Sequence, residues 1–155
     1  MKRFLSAVVL IIIFGAAQAQ NWTEDLSISK KTPLPFDLDY KAEFDPTVIR
    51  QDWMLDSAFT NEWIFERDSA SFHVYTKDGL IDGFMLVVTG SSETAVDKSF
   101  QSALAQFEKK LGKSSEEIGK YLWMIKLEEN SYFLSLQSLI PYQQKAWTLN
   151  VHVFQ

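Results

Sequence analysis

An α+β fold is predicted from the amino-acid sequence: a single antiparallel sheet packed by one main helix and a second, shorter one. Three observations predict it. Val96, Phe100, Ala103, Leu104, Phe107 and Leu111 recur at spacings of three and four, which puts them on one face of a helix. Before that helix, two apolar runs flank the turn Lys77-Asp78-Gly79, and Asp-Gly accepts the positive backbone angles of a tight hairpin. After it, three alternating runs form a C-terminal three-stranded meander, for about five to six strands in all.

The chain opens with a different pattern. Met1, Lys2 and Arg3 precede a nearly uninterrupted apolar run from Phe4 to Ala17, and Ala17-Gln18-Ala19 follows. A basic start, a short apolar middle and an A-x-A end make a secretory signal, with cleavage expected after Ala19. The apolar run falls short of the roughly 18 residues that argue for a membrane span. Residues 1–19 therefore read as signal peptide, 20–35 as an extended lead-in broken by Pro33 and Pro35, and 36–155 as one α+β domain. The expected location is the bacterial periplasm or the medium, with no membrane insertion after cleavage.

Charge and cysteine content narrow the class. The chain has 15 bases and 20 acids; cleavage removes Lys2 and Arg3 and moves the net charge from −5 to −7. Such a field repels nucleic acid and favours a basic protein or peptide partner. With no cysteine there is no disulfide and no lipid-modified N-terminal cysteine, so the domain must be held by its own core.

Within the domain, Phe36-Asp37-Leu38-Asp39-Tyr40 alternates and reads as an edge strand that Phe44 continues. Asp45-Pro46 looks like a helix start, and residues 47–58 are expected to form the shorter helix, with Ile49 and Trp53 on one face. Trp63 to Phe65 and Ser71 to Thr76 are strands. Phe72, Val74 and Thr76 take the packed parity against His73 and Tyr75. Leu80 to Thr89 is apolar on both faces over Phe84 to Val88, which places it centrally, under a helix; Gly83 marks a bulge or a close approach.

Ser91 or Ser92 caps the main helix and Gly112 ends it. Ser114 to Glu117 is expected to form one short turn. The meander runs Tyr121 to Glu128, Tyr132 to Ile140 and Ala146 to Phe154, with Trp123, Leu134, Leu136, Trp147, Leu149 and Val151 facing the core.

Signals for chemistry are sparse. His73 and His152 sit at polar strand parity and, with Asp82 or Asp78, are the weak candidates for a metal; no close-spaced ligand pair supports them, and no metal or cofactor is expected. Gly90-Ser91-Ser92 lacks the second glycine of a nucleophile elbow, so its serines are assigned to capping and no catalytic residue is expected. The aromatic content stands out more. Trp123 and Trp147 follow the packed parity, which leaves Trp53, Trp63, Tyr142 and Phe154 as candidate binding residues. The expected function is a non-enzymatic interaction domain for an envelope protein or peptide, including an inhibitor or immunity-type protein. The alternatives are a small envelope hydrolase with a histidine/carboxylate site, or an envelope assembly scaffold with a free sheet edge.

Overall fold

The computed structural model describes residues 41–127 and 130–154. They form eight antiparallel strands and one long helix, an α+β arrangement in which the sheet is not closed into a barrel. The strands are β1 (Met54–Ala58), β2 (Glu62–Arg67), β3 (Ala70–Lys77), β4 (Leu80–Thr89), β5 (Ser115–Glu117), β6 (Lys120–Leu127), β7 (Asn130–Ser138) and β8 (Ala146–Phe154). The helix α1 (Glu93–Leu111) stands between β4 and β5. Spatial order is β1-β2-β3-β4-β8-β7-β6-β5. The chain thus lays down one four-stranded meander, crosses by α1 to the far edge, and returns by a second meander whose last strand joins β4.

Local chemistry explains most boundaries. Asp78 and Gly79 both take positive φ, 53° and 81°, as the β3–β4 hairpin requires. The Ser92 hydroxyl accepts from the Ala95 N–H at 3.2 Å and caps α1, and Gly112 ends it at φ 87°. Gly83 combines two features expected of it. The β3–β4 register shifts between Tyr75 and Thr76, and a Cβ at Gly83 would lie 2.6 Å from the Val151 carbonyl oxygen.

One face of the sheet is packed by two different covers. Over β6–β8 lies α1, whose Val96, Phe100, Ala103 and Phe107 are buried; Phe107 meets Trp123 with ring centroids 5.7 Å apart. Over β2–β3 lies the segment before β1. Phe44 stands edge-on to Trp63 and Phe65, and Trp53 packs on Phe72. The result is one core, centred on Phe72, Val74, Leu134, Leu136 and Trp147.

Three expectations are corrected. The strands number eight among the described residues rather than five to six. Residues 47–58 are not a helix. Asp45 does cap a turn, through Thr47 N–H at 2.9 Å, but the turn is a single 3-10 turn over Pro46–Val48, and residues 54–58 continue as β1. Burying Ile49 and Trp53 needs only an irregular cover there, while Val48, Leu55 and Phe59 remain exposed, so an amphipathic helix has no second set of core contacts. Ser115–Glu117 is a short strand instead of a helical turn, because Ile118 and Gly119, both at positive φ, fold it back on β6. The strand expected at Phe36–Tyr40 and Glu128, the last residue of the strand expected over Tyr121 to Glu128, lie outside the described residues.

Candidate functional site

The two sheet edges are built differently. The β5 edge is three residues of Ser and Glu, all exposed, and this short, charged make-up discourages further pairing. The β1 edge is apolar. Met54 is 71% exposed and Leu55 50%, and Phe59 just beyond the strand is 60% exposed. Leu55 pairs with Phe65 and Met54 with Glu66, so the two side chains lie on opposite faces of the sheet. Between Leu55 and Ser57 the register shifts, leaving Asp56 as a bulged residue whose carboxylate accepts from Ser57 Oγ.

Acids surround this edge. Asp56, Glu66 and Asp68 are exposed on β1, on β2 and in the turn after it. Arg50 and Arg67 are the cations nearby in sequence, and both are committed to Asp52, at 2.7 and 2.8 Å. Burial acts against the Asp52 charge, but the Arg50 hydrogen bond and charge, then Arg67, hold its carboxyl below the ordinary value. Arg67 also lies over the Trp53 ring at 5.2 Å, so the cluster braces the cover segment against β2.

The sheet face opposite α1 carries a polar network. Residues of like parity on β2 and β3 stand side by side: Glu62 opposite Tyr75, Ile64 opposite His73, Glu66 opposite Ser71. His73 Nδ1 lies 2.8 Å from Glu62 Oε1, and His73 Nε2 lies 3.2 Å from Ser71 Oγ. A carboxylate only accepts, so Nδ1 carries a proton toward Glu62, and in the neutral tautomer this leaves Nε2 to accept from the Ser71 hydroxyl. Tyr75 stacks on His73; burial, then the Glu62 charge, push its phenol up, so it stays protonated at neutral pH.

The residues singled out in the sequence are dispersed. Trp53 is buried, and its Nε1 has no hydrogen-bond partner among the described residues; Trp63 is partly buried against the core. Tyr142, 58% exposed, and Phe154, 53% exposed, sit at opposite ends of β8: one in the turn before it, the other on its last residue. His152 faces the same side as His73 but pairs with Gly83 and Phe133. Asp82 belongs to a hollow of about 290 Å³ lined also by Lys77, Asp78 and Val153, and by neither histidine. Among the described residues no group of three metal-ligating side chains forms.

Two features escaped the sequence reading. Ser71 and Glu62 complete the His73 network, and the only advance signal was the i, i+2 spacing of Ser71 and His73, which sets them on one face of a strand. The β1 edge was hidden inside the expected helix. Comparisons with protein-family models, with curated proteins and with solved structures found no match to this chain.

Proposed function

We propose that this protein is an exported interaction domain of the bacterial envelope that captures an extended segment of another envelope protein along β1. The observation that carries the reading is the β1 edge, which no other strand pairs among the described residues, with Met54, Leu55 and Phe59 exposed beside it. A strand added there gains main-chain hydrogen bonds, and its side chains meet Leu55 on one face and Met54 on the other. The acidic rim of Asp56, Glu66 and Asp68 selects a segment that alternates apolar and basic residues. The same rim disfavours pairing with a second copy, whose Asp56 would approach like charge. The signal pattern of residues 1–19 and the net negative charge support an exported protein with a basic partner.

The test is a titration with a fluorescent octapeptide of alternating valine and lysine, at low and at high salt. Binding is expected, weakened by salt and by Leu55→Lys, and absent for an octapeptide of alternating valine and glutamate. Equal binding of both peptides, or full binding to the Leu55→Lys protein, would overturn the reading.

A further inference from the structure

The geometry points to Ser71 as a histidine-activated nucleophile that accepts acyl groups from activated esters on the open face of the sheet. Three relations support it. The Ser71 hydroxyl lies 3.2 Å from His73 Nε2, within reach of a general base. Glu62 holds His73 Nδ1 at 2.8 Å, which fixes the tautomer whose Nε2 is free to take the proton. Tyr75 stacks on the imidazole, so the base is held on its ring face as well as through Glu62. Nucleophile, base and orienting group thus stand in the sequence of contacts that acyl transfer uses, on two neighbouring strands of a rigid sheet.

The surroundings define the substrate. Val87 lies opposite Ser71 and Met85 opposite His73 on β4, both half-buried, and together they offer a flat apolar rest for a small acyl group. The backbone N–H groups beside Ser71 lie in the plane of the ladder, so they do not point up at a carbonyl oxygen above the face. That missing oxyanion stabilisation is worth roughly 10² to 10³ in rate. The substrate class is accordingly aryl esters or thioesters, whose leaving groups depart without it. In the step itself, Ser71 Oγ bonds to the acyl carbon while its proton passes to His73 Nε2. The acyl–oxygen or acyl–sulfur bond breaks, and the leaving group takes that proton. Water, activated by the same imidazole, then releases the acid and restores Ser71.

The experiment is labelling of the purified protein with an alkyl fluorophosphonate, located by peptide mass spectrometry, alongside hydrolysis of 4-nitrophenyl acetate. Ser71 is expected to label roughly 100-fold faster in the folded protein than in urea, the scale of general-base assistance. Ser71→Ala should remove the adduct and the ester burst, and Glu62→Gln should slow both while circular dichroism stays unchanged. If Ser71 labels no faster folded than unfolded, or the label scatters over exposed serines, the inference is overturned; that comparison needs no variant to fold.

Discussion

Trp147 donates its indole N–H to Ser99 Oγ at 2.9 Å, joining β8 to α1 across 48 residues of chain. Ser99 Oγ in turn donates to the Val96 carbonyl at 2.9 Å, so the serine closes a turn of helix and docks it on the sheet at once. Trp147 is fully buried. Ser99→Ala is therefore expected to destabilise the protein by about 1–3 kcal/mol, read from urea unfolding. A double cycle with Trp147→Phe should show positive coupling; additive losses would mean that the bond contributes nothing.

Trp53 makes the opposite case. It is as buried as Trp123, yet its Nε1 has no hydrogen-bond partner among the described residues, whereas Trp123 Nε1 donates to the Gly112 carbonyl at 2.9 Å. Replacing Trp53 by Phe removes an orphan donor whose burial costs about 1–3 kcal/mol, offsetting part of the lost packing. Trp53→Phe is expected to cost clearly less than Trp123→Phe in urea midpoints. An equal or larger loss at Trp53 would contradict this.

The seam between the two meanders depends on Gly83. Its missing Cβ makes room for the Val151 carbonyl, and neither backbone can retreat without breaking the β4–β8 ladder. Gly83→Ala should cost about 1–3 kcal/mol and lower the unfolding temperature.

Ile118 offers a gain instead. It is a β-branched residue at φ 51° and is 87% exposed, so it carries left-handed strain without burying surface. Ile118→Asn should stabilise the protein by about 1 kcal/mol, because asparagine tolerates that conformation. Thermal unfolding reads it, and an unchanged or lower midpoint would contradict it.

Asp52 sets an acid-dependent contribution. Its folded carboxyl is held below the unfolded value, so the stabilisation is complete above the unfolded range near about 3.9 and is lost as pH falls through the lower folded value. Asp52 is 41% exposed, which screens the effect to under about 1 kcal/mol. Asp52→Asn should be less stable than the wild type at neutral pH, and the gap should narrow as pH falls through and below the ordinary carboxylate range. A constant gap would place the effect elsewhere.

Much of the fold is legible in the residues. The main helix was readable because four of its six stripe residues are buried and the other two partly so, a pattern only one period fits. The long strands from Ser71 onward were readable because one of their faces is dry: Phe72 and Val74, or Trp147 to Val153, alternate with polar neighbours, whereas the wholly exposed Ser115–Glu117 carries no such pattern. The segment from Asp45 to Phe59 was not. Ile49 and Trp53 are four apart, as a helix would place them, but they are buried by an irregular cover, and the exposed Met54 and Leu55 obscure the two-residue period of β1. An edge strand has only one neighbour, so its pattern is weak in any sequence. The Ser71–His73–Glu62 network joins residues of two strands, and Glu62 becomes its partner only through register.

The most direct test of the central proposal is amide hydrogen exchange at residues 54–58, with and without the alternating valine–lysine octapeptide. A strand added to β1 should protect amides there and leave the β5 edge, residues 115–117, unchanged. Protection at β5 or on no strand edge would contradict capture along β1.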